Sequence, residues 1–98
     1  MHDDGRADLE DKQIFQDGSI IEMRIWRVPS PVLQSMHMFK YSLFYGHPGE
    51  ILVLFDNERG KGDHRHIRGV EHSYRFDSVE RLIEDFKVAV RSARRQPP

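Results

Sequence analysis

The spacing of apolar side chains changes once along this sequence, and that change limits the fold more than any single motif. Before Phe76 the apolar residues recur at every second position in three stretches. After it they recur at intervals of three and four. Alternation by two puts every other side chain on one face of a strand, and intervals of three and four put them on one face of a helix. Ile21, Met23 and Ile25 oppose Glu22 and Arg24. Phe39, Tyr41, Leu43 and Tyr45 oppose Lys40, Ser42 and Phe44. Val70, His72, Tyr74 and Phe76 oppose Glu71, Ser73 and Arg75. Glu50 to Asp56 is the most apolar run of the chain and predicts a central strand.

Turn chemistry divides these stretches. Asp17-Gly18 fits a two-residue hairpin turn that joins a short strand around Ile14 and Phe15 to a longer one reaching Val28. Pro29 and Pro31 end that strand, because proline cannot donate to a ladder. Val32 to Met36 reads as an irregular crossing, and Gly46-His47-Pro48-Gly49 as a turn. Gly69 predicts a further strand, or a two-part strand bulged at that glycine. Val79, Leu82, Ile83, Phe86, Ala89, Val90 and Ala93 then define an amphipathic helix. Asp77 is its expected cap, with Glu80 reaching back, and Arg94 and Arg95 suit its negative end. The predicted fold is α+β: an antiparallel sheet of four to six strands with one C-terminal amphipathic helix packed on one face.

With 98 residues this makes one small domain. Residues 12–95 form it, between an acidic, disordered tail over 1–11 and a short C-terminal tail over 96–98. The tail holds five acids and one arginine, net −4, and the remaining residues hold fourteen bases and eleven acids, net +3. The body is therefore mildly basic, which permits a nucleic-acid partner without requiring one. With no cysteine, disulfides and thiolate ligands are excluded. No apolar run reaches transmembrane length and the N-terminus is not signal-like, so a cytoplasmic protein without membrane contact is expected.

Titratable side chains are concentrated between Asp56 and Arg68. Gly60 and Gly62 flank Lys61, and Asp63, His64, Arg65 and His66 follow without a break. If the chain extends there, His64, His66 and Arg68 share one face, while Asp63, Arg65 and Ile67 share the other. Ile67 marks the core side. Cleavage of RNA without metal requires a base for the 2′-hydroxyl, an acid for the leaving oxygen, and cations for the phosphate. His64 and His66 can be base and acid, with Asp63 or Asp56 orienting an imidazole. Arg65, Arg68 and Lys61 can hold the phosphate, and the amides of Gly60 and Gly62 can face it. Trp26, on the polar side of its strand, offers a base a stacking surface. The same residues admit two other readings. His64, His66 and Asp56 could ligate a divalent metal. Alternatively, the basic residues could dock RNA, DNA or a protein without cleaving anything.

The strings Trp26-Arg27-Val28-Pro29, Lys40-Tyr41-Ser42-Leu43, Phe55-Asp56-Asn57-Glu58 and Gly60-Lys61-Gly62-Asp63-His64-Arg65-His66 resemble the TumE family, as does Tyr74-Arg75-Phe76 before an acid-capped helix. The similarity spans roughly Ser19 to Phe86. It implies a bacterial toxin encoded beside a cognate antitoxin, often a small DNA-binding protein. Together, residues and resemblance predict an endoribonuclease toxin without cofactor, acting on RNA. The strand edges leave room for a homodimer.

Overall fold

The computed structural model describes residues 7–58, 60 and 62–95. Six strands and one helix follow one another: β1 (Leu9–Ile14), β2 (Ile20–Arg27), β3 (Phe39–His47), β4 (Glu50–Asp56), β5 (His64–Ile67), β6 (Val70–Ser73) and α1 (Val79–Arg95). The strands pair in chain order as an antiparallel meander. Every strand contact is therefore local in sequence, and β3 and β4 lie at the centre. No helix among the described residues is long and apolar enough to cross a membrane.

The alternation assigns the two faces as the sequence predicts. Across the register, Ile25 pairs with Tyr41, Met23 with Leu43 and Ile21 with Tyr45. Leu43 in turn pairs with Phe55, and Tyr45 with Val53. These residues form the core with Leu82, Phe86, Val90 and Ala93 of α1. Among the described residues, the opposite face carries no helix. Glu22, Arg24, Trp26, Lys40, Ser42, Phe44, Leu54 and Asp56 lie on it.

Three local expectations are corrected. First, β1 begins at Leu9, inside the stretch expected to be a disordered tail, and Asp8 accepts a hydrogen bond from the Arg27 backbone amide. The acidic strand residues Glu10 and Asp11 are tolerated because they sit on a solvated edge strand. Met1 to Arg6 and residues 96–98 lie outside the described residues. Second, Gly69 forms no bulge. Ile67 pairs with Val70, so Arg68 and Gly69 are the two central residues of a hairpin turn, both at positive φ (48° and 85°). That is the type I′ geometry that matches strand twist. Third, the cap of α1 is Ser78. Its Oγ accepts from the Arg81 amide at 3.0 Å and its carbonyl accepts the first helical bond from Leu82. Three residues beyond Ser78 stands Arg81, so no capping box with Glu80 forms.

Candidate functional site

The stretch from Asn57 to Asp63 is held at both ends by hydrogen-bonded polar side chains. Asn57 is fully buried. Its side-chain oxygen accepts from the Tyr41 amide (3.0 Å), and its nitrogen donates to Ser35 Oγ (3.1 Å) and the Phe39 carbonyl (2.9 Å). At the other end, Asp63 accepts from Tyr41 Oη (3.0 Å), Ser35 Oγ (3.2 Å) and His37 Nε2 (2.9 and 3.1 Å). His37 Nδ1 accepts from the Phe39 amide, so a neutral ring carries its hydrogen on Nε2, facing Asp63. Burial, then the Asp63 charge, push the Tyr41 phenol well above the usual tyrosine range. Between these anchors Gly62 runs at φ 83°, and a Cβ there would meet the Gln34 carbonyl at 3.0 Å, so a side chain is excluded twice over.

Asp63 is thus an anchor of the loop on the helix side of the sheet and does not touch His64 or His66 among the contacts seen. His37, which stacks on Phe76 with ring centroids 3.8 Å apart, was not singled out from the sequence. The available signal was its place two residues before Phe39 in the same alternation.

β5 divides the motif between the two faces. Arg65 pairs with Phe55 and Ile67 with Val53, which places both on the helix side. His64 pairs with Asp56 and His66 with Leu54, which places both histidines on the open face. The expected grouping of Arg68 with them is corrected. The hairpin turn diverts Arg68 toward α1, where its guanidinium donates to the Ala93 carbonyl at 3.2 Å. Arg65, Arg68, His72 and Arg81 border a groove between the β5–β6 hairpin and α1, floored by Ile67 and Ala89. Tyr74 and Arg81 both donate to Asp85 at one side of this groove, and burial followed by that bond raises the Tyr74 phenol.

On the open face His64 is 4% exposed. Its Nδ1–H donates to the Gly62 carbonyl at 3.0 Å, and its Nε2 lies 2.7 Å from Asp56 Oδ1. That second approach is oblique: Asp56 Oδ1, buried, accepts no aligned hydrogen bond. The His66 ring lies edge-on to His64 with centroids 5.4 Å apart, and its Nε2 is 3.6 Å from Glu71 Oε1. Among the described residues, the metal-ligand atoms that converge are those of His64, His66 and Glu71, all within 4.8 Å of one another. Asp56, expected as the third of such a group, contacts His64. Glu71 stands opposite His66 across the β5–β6 ladder, a pairing that only the unforeseen hairpin turn creates.

Trp26 and Lys40 pair across β2 and β3 on this same face, with the ammonium 4.8 Å from the indole centroid. Lys40 also pairs with Glu58, and Arg24 with Glu10 and Glu22. Gly60, at φ 74°, belongs to the loop, and Lys61 lies outside the described residues.

The molecule is therefore a small α+β domain with a helix-backed meander sheet and a histidine–carboxylate cluster on the uncovered face. The chain matches the family model of Toxin TumE over residues 2–94, nearly its whole length, and belongs to that family. It is accordingly a toxin component of a toxin–antitoxin system, which implies a cognate antitoxin. No curated protein and no solved structure matches it.

Proposed function

We propose that this toxin is an endoribonuclease whose reaction centre is the open-face cluster of Asp56, His64, His66 and Glu71. The observation that carries this reading is the pair of imidazoles 5.4 Å apart on the uncovered face of the sheet, one ring buried and one partly open to solvent. Trp26 on that face gives an RNA base a surface to stack on. Among the described residues, Arg24 and Lys40 are cations on that face that could meet its phosphates. Both are engaged by exposed carboxylates, but exposed ion pairs are worth only about 0–1 kcal/mol, so a phosphate can displace them.

The simplest metal-free scheme, with His64 and His66 as two free imidazoles passing protons, meets a constraint. His64 is 4% exposed, its Nδ1 is bonded to the Gly62 carbonyl, and Asp56 Oδ1 stands 2.7 Å from its Nε2, so substrate has no open approach to this ring. His66 is the ring that reaches substrate. The test is incubation of the purified chain with end-labelled RNA. Wild type should cut, and His66→Ala should lose on the order of 10²–10⁴ in rate. Binding without a cleavage product, at any pH and with any added divalent metal, removes the nuclease reading.

A second reading rests on the other face. Arg65, Arg68, His72 and Arg81 make the helix-side groove basic, and Val88, half exposed, adds apolar surface beside it. An acidic, partly apolar segment of the antitoxin fits that chemistry better than a bare phosphate backbone does. On this reading the groove is where the toxin is held.

A further inference from the structure

We infer that Asp56, His64, His66 and Glu71 form a binding site for one divalent transition-metal ion of the zinc or manganese kind. The inference deepens the nuclease reading by supplying its cofactor, and it stands on four geometric observations.

The first is the convergence of ligand atoms from His64, His66 and Glu71 within 4.8 Å of one another. The second is the tautomer of His64. The Gly62 carbonyl can only accept, so a neutral ring carries its hydrogen on Nδ1 and turns its Nε2 lone pair toward Asp56 and the cluster. A ring nitrogen donating to a backbone carbonyl is the usual outer-shell support of a metal-bound histidine. The third is Asp56. A carboxylate oxygen with no hydrogen-bond donor, in a residue only 4% exposed, is costly unless a positive charge satisfies it. It lies 2.7 Å from His64 Nε2 but off the hydrogen-bond direction. The fourth is the other pair: His66 Nε2 and Glu71 Oε1 sit 3.6 Å apart, beyond hydrogen-bond length.

Two donors of one small cation, each about 2.0–2.2 Å from it, lie roughly 3 Å from each other. The Asp56–His64 and His66–Glu71 distances bracket that value, and neither pair is joined by an aligned hydrogen bond. Each pair is spaced like one edge of a coordination sphere, and closing the two edges on one ion gives a set of two nitrogens and two oxygens. Mixed imidazole and carboxylate donors favour zinc or manganese over magnesium, which prefers all-oxygen surroundings. Such an ion polarises a phosphate oxygen and acidifies water. The chemistry then needs no second free imidazole, which resolves the constraint on His64.

The experiment is titration of the purified, tag-free chain with zinc chloride, manganese chloride and magnesium chloride, read by calorimetry and by melting temperature, with no RNA present. The expected result is one equivalent of zinc or manganese bound, with a melting temperature that climbs with metal concentration. Glu71→Gln should weaken binding on the order of 10- to 100-fold and His66→Ala by more. Both residues are partly exposed, so both variants should fold, which their circular dichroism verifies. His47→Ala, at a histidine remote from the cluster in the ladder, should bind like wild type. No saturable binding of either metal overturns the inference, and so does binding that survives both cluster substitutions. Metal binding without RNA cleavage upholds the site and sinks the nuclease reading. Chelator-insensitive cleavage by a chain that binds no metal does the reverse.

Discussion

At the scale of single residues, the motif separates into anchors and displayed groups. Asn57 and Asp63 bracket the loop and spend their hydrogen-bonding capacity on Ser35, His37, Phe39 and Tyr41. Tyr41 is where this network meets the core, and its state sets a pH limit on the fold. Its phenol is raised by burial and by Asp63, and that of Tyr74 by burial and by Asp85. A raised folded-state pKa means that the stabilisation is complete below the unfolded value of about 10 and is lost as pH rises above it. The unfolded chain releases these two protons first, so ΔG of unfolding should fall steadily above about pH 10. Tyr41→Phe should flatten that slope even if it lowers stability at neutral pH. A urea titration series from pH 8 to 11 measures both, and a slope unchanged by Tyr41→Phe would show that the phenol does not control it.

At the scale of elements, α1 is held by a narrow apolar stripe and by polar ties at each end. Phe86 is fully buried and meets Phe55 edge-on with centroids 5.9 Å apart. Ser78 caps the N-terminal end. At the other end, the Arg94 guanidinium stacks 3.8 Å from the Phe15 centroid and donates to Ser19 Oγ and Tyr45 Oη, which ties the helix to the first hairpin turn. Phe86→Ala should cost about 3–5 kcal/mol, the range for truncating a buried aromatic ring. A loss under about 1 kcal/mol by denaturant titration would mean that the stripe does not carry the docking. This element was legible in the sequence because burial on one side leaves a periodic signature, as it does for Tyr41, Leu43 and Tyr45. The sequence was silent where geometry depends on one backbone angle. Arg68 at φ 48° turns what reads as a bulged strand into a hairpin, carries the Arg68 side chain to α1, and brings Glu71 opposite His66. The choice of Ser78 over Asp77 as cap is equally local, since both residues can accept the same bond.

At the scale of the whole molecule, the sheet works as a partition. One face buries the core under α1 and, past its edge, presents the basic groove of Arg65 and Arg81. The other face displays His66 and Trp26. Strict alternation along β5 puts His66 and Arg65 on opposite faces of the sheet. Arrest of growth and capture by the antitoxin should therefore be separable by substitution. His66→Ala should abolish growth arrest in a bacterial host while the chain still co-purifies with its antitoxin. Arg65→Gln combined with Arg81→Gln should do the opposite: toxicity is retained and co-expressed antitoxin no longer relieves it. Charge-paired contacts that are partly buried at an interface typically cost 2–5 kcal/mol when one partner is removed, enough to lower affinity by about 30-fold or more. Growth curves with and without antitoxin, beside pull-down of each variant, read both properties at once. If the Arg65/Arg81 variant is still neutralised like wild type, the antitoxin does not use the helix-side groove. If His66→Ala loses the antitoxin together with its toxicity, one face serves both purposes and the partition does not govern function.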